Sequence, residues 1–172
     1  MPSSPVELLQ QLVRIPSVNP DGDPGTDQTG EAAMARWLEP WLTQLGFEVR
    51  IEEIQPGRPN IIARAPGRTD RPRILLGPHL DTVSVTGMTV DPFGGSISDG
   101  RIWGRGASDT TGPMAAMLWG LQTCRDLLPT LPVAIDFVGF MGEESGQWGS
   151  KDFAAKHAGD YEFAIVGEPT SL

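Results

Sequence analysis

Arg73-Ile74-Leu75-Leu76-Gly77-Pro78-His79-Leu80-Asp81 is a short apolar run that ends on a histidine and an acid. Two later runs have the same form. Val133-Ala134-Ile135-Asp136-Phe137-Val138-Gly139-Phe140 leads into Met141-Gly142-Glu143-Glu144, and Phe163-Ala164-Ile165-Val166-Gly167 leads into Glu168-Pro169-Thr170. Sheets of the α/β class bind ligands at the carboxyl ends of their strands. If the three runs are neighbouring parallel strands, His79, Asp81, Glu143, Glu144 and Glu168 converge on one rim. One imidazole among several carboxylates describes a divalent-metal site.

Outward from these runs, the chain alternates helix and strand. Ser4-Pro5-Val6-Glu7 reads as a helix start, with a Ser N-cap, Pro at the first position and Glu at the third. Its apolar stripe runs to about Ile15. Pro16 to Thr29 reads as loop. Apolar residues from Met34 to Leu45 fall at helical spacing. Pro40 is expected to kink this second helix and Gly46 to end it. Phe47–Ile54 and Asn60–Ala65 read as strands. Ser96 to Trp103 is a hairpin turning on Asp99-Gly100. Pro113 opens a helix in which Cys124 is expected to be packed inside. A short helix over about Gly149–Lys156 precedes the last strand. This order implies an α/β fold, three-layer α/β/α, with a mostly parallel mixed sheet between helices.

Composition narrows the function. The 172 residues suffice for one domain with a core. The net charge of -9 argues against nucleic acid or an anionic membrane as partner. The single cysteine leaves no disulfide framework and no Cys-rich zinc site. No basic leader precedes an apolar stretch, and no run approaches the ~18 apolar residues of a membrane span. A cytoplasmic location is the expectation.

Each acid has an ordinary reading beside the metal one. His79 and Asp81, two apart on an extended end, share a face. The Asp81 carboxylate is then expected to reach one ring nitrogen and make the other a better ligand; the pair is equally a surface His beside a turn Asp. Asp109 alone is a common N-cap or turn residue, although Gly104, Gly106 and Gly112 permit the backbone an inward-aimed carboxylate needs. Glu143 and Glu144 are either a solvated acidic loop or a pair that divides labour. In the second case one ligates metal and the other takes a proton from water. Glu168 before Pro169 is otherwise a turn residue.

Several longer stretches carry a resemblance. They are Gly77-Pro78-His79-Leu80-Asp81-Thr82-Val83, Asp91-Pro92-Phe93-Gly94-Gly95, Asp99 through Asp109, Gly142-Glu143-Glu144-Ser145-Gly146 and Gly167-Glu168-Pro169-Thr170. In order and spacing, over the whole chain, they resemble the di-zinc aminoacylase/carboxypeptidase family. Its types include acetylornithine deacetylase, succinyl-diaminopimelate desuccinylase and glutamate carboxypeptidase. Gly87 through Phe93 looks most like the acetylornithine deacetylase type. The resemblance implies that His79 and Glu168 bind one zinc, that Glu144 helps bind a second, and that Asp109 bridges them. It also implies that Asp81 orients His79, that Glu143 is the general base, and that the Asp109–Thr110 peptide bond is cis.

Two departures qualify it. The family pattern Asp-x-Lys-Gly is here Asp109-Thr110-Thr111-Gly112, so Thr111 cannot supply the charge of that Lys. The family's lid and dimerisation domain, and the later catalytic segment with the last zinc-binding His, are not in these 172 residues. Residues 1–172 therefore read as the N-terminal portion of a zinc-hydrolase catalytic domain. The parent reaction is expected to be hydrolysis of an amide in an N-acyl amino acid or small peptide. Zinc is the expected cofactor, with cobalt a substitute: two ions in the complete enzyme and at most one well occupied here. The rival readings are a catalytically inactive metal-binding fragment, or half of a split enzyme. Self-association, or a missing complementary segment, is the expected partner.

Overall fold

Among the described residues, five strands form one sheet in the order β1-β2-β6-β3-β7, and a separate two-stranded ribbon pairs β4 with β5. The computed structural model describes residues 2–22, 30–67 and 69–170. The strands are β1 (Glu48–Gln55), β2 (Arg58–Arg64), β3 (Arg73–Gly77), β4 (Ser96–Ser98), β5 (Arg101–Trp103), β6 (Ala134–Gly139) and β7 (Phe163–Val166). The helices are α1 (Pro5–Val13), α2 (Ala32–Gln44), α3 (Thr111–Thr123) and α4 (Trp148–His157). The sheet is mixed. β3 is parallel to β6 on one side and to β7 on the other, whereas β2 is antiparallel to both β6 and β1. β2 alone runs against the rest.

Alternation along the central strands sorts side chains to two cores. Ile61 and Ala63 of β2 and Phe137 of β6 face Leu8 and Leu12 of α1, Leu38 and Leu42 of α2, and Leu118 and Leu121 of α3. Ile62 of β2, Leu75 of β3 and Val138 of β6 face Phe153 of α4 on the other side. Helices on both faces make the three layers. Ser4 Oγ accepts the Glu7 amide at 3.1 Å and so caps α1. Asp99 and Gly100 both adopt left-handed backbone, with φ of 51° and 71°, which is the two-residue hairpin turn their sequence predicts.

α2 continues through Pro40 to Gln44, and Gly46 just past its end adopts left-handed backbone. One expectation is corrected, and another lies partly outside the described residues. Cys124 is exposed: α3 ends at Thr123 and Cys124 caps it, one residue past the last buried turn. Of the loop read from Pro16 to Thr29, residues 23–29 lie outside the described residues.

At the amino end of the parallel strands a buried acid ties three elements together. The Asp136 carboxylate is fully buried. It accepts from Arg73 Nη1 at 2.8 Å, Arg64 Nη1 at 3.0 Å, Tyr161 OH at 3.1 Å and the Ala65 amide at 2.7 Å. Removing one partner of a buried ionic cluster strands the others. Asp136→Ala is therefore expected to lower the unfolding free energy by about 3–5 kcal/mol, read as a lower urea midpoint at unchanged slope.

Candidate metal centre

The parallel strands end in register, and the ends carry the acids. β3 and β6 continue beyond their last paired residues through a bridge between His79 and Phe140, in which Leu80 N donates to Phe140 O at 2.7 Å. This sets His79 beside the turn at Glu143–Ser145. On the other side Gly77 pairs with Val166, so Glu168 leaves β7 at the same rim. Asp109 comes from the loop between β5 and α3. There the Asp109–Thr110 bond is cis, and the Thr110 hydroxyl donates to the Gly167 carbonyl.

His79 is 2% exposed. Its Nδ1 lies 2.9 Å from the backbone oxygen of Asp81, and its Nε2 lies 3.0 Å from Asp109 Oδ1 and 3.8 Å from Glu168 Oε1. His79, Asp109 and Glu144 each bring a ligand atom to within 4.8 Å of the others. Glu168 stands at the edge of this group. The Glu143 carboxylate accepts from Gln147 Nε2 at 3.3 Å.

The expected contact between the Asp81 carboxylate and His79 is only partly made. The nearer partner of Nδ1 is the Asp81 carbonyl, while the carboxylate Oδ1 lies 3.5 Å away. The carboxylate turns instead to three nearer donors. Asn19 Nδ2 donates at 2.6 Å, and the Glu143 and Glu144 amides donate at 3.0 and 3.1 Å. A buried carboxylate is satisfied best by several N–H groups, and these outcompete a ring already held by a carbonyl.

The electrostatics are those of a crowded acidic pocket. Burial alone would lower the His79 pKa, but Asp81, Asp109 and Glu168 outweigh it and push it up to about 9. Burial raises the Asp81 pKa, yet the nearby His79 ring and hydrogen bonds from Asn19 and the Glu143 amide bring it below the usual carboxylate range. Glu144 and Glu168 are held above that range, by burial first and then by neighbouring carboxylates, with His79 opposing. A cation would relieve both acids and take the place of the proton on Nε2. One imidazole nitrogen among carboxylate oxygens is a donor set that zinc accepts, so the residues present fit such an ion.

Two further residues make their contacts away from this group. The Thr111 hydroxyl donates to the Gly106 carbonyl at 2.6 Å, inside its own loop. His157 ends α4, where it pairs with Asp160 at 3.1 Å and stacks on Phe153. Asn19, Glu31 and Arg58, which reach the rim from far away in sequence, were not anticipated. Asn19 lies in the stretch read as loop and Glu31 just before α2, and neither position carries a local signal of its distant partners.

A family model described as peptidase family M20/M25/M40 matches residues 75–172. The chain is 34% identical over 171 residues to acetylornithine deacetylase of Proteus mirabilis (strain HI4320), covering 97% of this chain and 43% of that protein. It is 34% identical over 177 residues to succinyl-diaminopimelate desuccinylase of Cereibacter sphaeroides (strain ATCC 17025 / ATH 2.4.3), covering 99% and 44%. In fold it is similar to human carnosine dipeptidase 1, with a TM-score of 0.81 at 23% identity, covering 96% of this chain and 38% of that one. The chain thus spans less than half the length of these relatives.

Proposed function

We propose, because this chain belongs to peptidase family M20/M25/M40, that the polypeptide carrying it hydrolyses amide bonds with the help of a divalent metal. The substrate class we infer is an N-acyl amino acid or small peptide, of the kind named for the acetylornithine deacetylase and desuccinylase relatives. The observation that carries this reading is the convergence of His79, Asp109 and Glu144 within 4.8 Å. In our reading His79, Asp109, Glu144 and Glu168 hold the ion, zinc by preference, with cobalt as a substitute. A bound zinc would act as a Lewis acid that polarises the amide carbonyl and acidifies water.

The remaining steps belong to the chain. Glu143 takes the proton from the attacking water on a carboxylate oxygen and returns it to the amide nitrogen as the C–N bond breaks. Gln147 Nε2, 3.3 Å from that carboxylate, restricts its swing. The Asp81 carbonyl accepts a hydrogen bond from His79 Nδ1–H, which keeps that proton on the ring and presents Nε2 to the ion.

Residues 1–172 are, in this reading, the N-terminal portion of a catalytic domain. Phe163, Ile165 and Val166 on edge strand β7 are 55%, 47% and 60% exposed. This supports association through that edge, with a second copy or with a complementary segment. Among the described residues no helix is long and apolar enough to cross a membrane. A cytoplasmic enzyme is the reading we adopt.

Calorimetric titration of the 172-residue chain with zinc, beside an assay of N-acyl amino acid hydrolysis, tests the proposal. One tight zinc per chain is expected, because His79, Asp109 and Glu168 can together hold one ion, whereas a second would have only the shared Asp109 and Glu144. Absence of zinc binding at the rim would refute it.

A further inference from the structure

The turn that carries Glu143 and Glu144 is gripped from beneath at four successive residues. Gly142 N donates to Glu31 Oε1 at 3.1 Å. Glu143 N and Glu144 N donate to Asp81 Oδ1 and Oδ2. Ser145 Oγ donates to Asp21 Oδ2 at 2.9 Å. Gly142 adopts left-handed backbone, φ 67° and ψ 32°, which turns its amide down toward Glu31 and is open to glycine without cost.

The carboxylates below are joined by one guanidinium. Glu31 is fully buried. Arg58 grips it with two nitrogens, Nη2 at 2.6 Å from Oε1 and Nε at 3.1 Å from Oε2. Arg58 Nη1 reaches Asp21 Oδ2 at 2.7 Å, the same oxygen that Ser145 uses. Asn19 closes the ring, its Nδ2 donating to Asp81 Oδ2 at 2.6 Å and to Ser145 Oγ at 3.0 Å, and its Oδ1 accepting from the Asp21 amide at 2.9 Å. Glu31, Arg58, Asp21, Asn19 and Asp81 thus hold one continuous polar frame under the turn.

A buried ion pair contributes little net stability, since well-packed apolar residues usually serve as well. What this frame supplies is direction. A forked guanidinium fixes the plane of the carboxylate it holds, and that carboxylate fixes an amide one residue before Glu143. We propose that Glu31 and Arg58 are positioning residues that aim the Glu143 and Glu144 carboxylates at the metal site, with Asp21 the outer end of the same clamp. This rests on the reading of Glu144 as a ligand and Glu143 as the base. A shift on the order of 1 Å at such groups is enough to cost on the order of a hundredfold in rate.

The test loads cobalt into the wild-type chain, E31Q and D21N, and follows its visible spectrum and affinity. E31Q keeps the oxygen that accepts Gly142 N but removes the charge opposite Arg58. D21N makes the milder cut at the more exposed end, where Asp21 is 53% exposed, and is expected to melt with the wild-type chain. Cobalt affinity is expected to fall about tenfold to a hundredfold in E31Q, as for other groups behind metal ligands. The cobalt spectrum is expected to shift in both variants. If E31Q does not fold, D21N decides. Wild-type cobalt binding with an unshifted spectrum in the folded variants overturns this inference and leaves the metal reading standing. A wild-type chain that binds no cobalt overturns both.

Discussion

Replacing Glu143 with alanine is expected to lower amide hydrolysis by the polypeptide carrying this sequence about 10²–10⁴-fold, with its metal content unchanged. Glu143 and Glu144 are adjacent, so their side chains leave the turn in different directions. Glu144 joins His79 and Asp109 in the group that can share a cation, whereas Glu143 is held by Gln147 from outside that group. Removing a proton acceptor while leaving every proposed ligand in place predicts a loss in kcat with no loss of metal. The check is metal analysis by mass spectrometry beside turnover of an N-acyl amino acid. A Glu143→Ala protein that loses its metal would make Glu143 a ligand instead. One that keeps full activity would remove it from the reaction.

His79→Ala is expected to abolish metal binding, an effect larger than the tenfold to hundredfold that follows loss of a group behind a ligand. His79 is the one imidazole at the rim. Its Nε2 faces Asp109 at 3.0 Å and Glu168 at 3.8 Å. Without it the site is a set of carboxylates that repel one another, and zinc loses its nitrogen donor. The overall fold is expected to persist, because the strand pairing at this position is made by backbone groups that alanine keeps. Zinc calorimetry beside circular dichroism checks the pair of expectations. Undiminished zinc affinity in a folded His79→Ala chain would move the site elsewhere.

Element type was legible wherever local chemistry dictates it. The five-residue run at Arg73–Gly77 is strand β3 to the residue, because an apolar run this short, bounded by Pro72 and by Gly77-Pro78, has few other uses. The Ser4 cap with Pro5 and Glu7 starts α1 where the sequence puts it. Prediction went astray where the outcome depends on what a residue faces. Cys124, read as packed inside, lies just beyond the buried part of α3.

At the rim the sequence by itself determined which residue types stand at the ends of the apolar runs, since a strand that leaves the core must end on whatever follows it. Which of those ends meet was decided by the strand order β1-β2-β6-β3-β7, which sets His79 between the Glu143 turn and Glu168. That order comes from packing helices on both faces of the sheet, a property of the whole chain. The frame under the turn is the clearest case. Glu31 meets Arg58 across 27 residues and Gly142 across 111, and Asn19 meets Ser145 across 126. No local pattern encodes such contacts. Only folding brings these groups out of water, where a buried carboxylate left unpaired is costly and one held by a guanidinium and an amide is not.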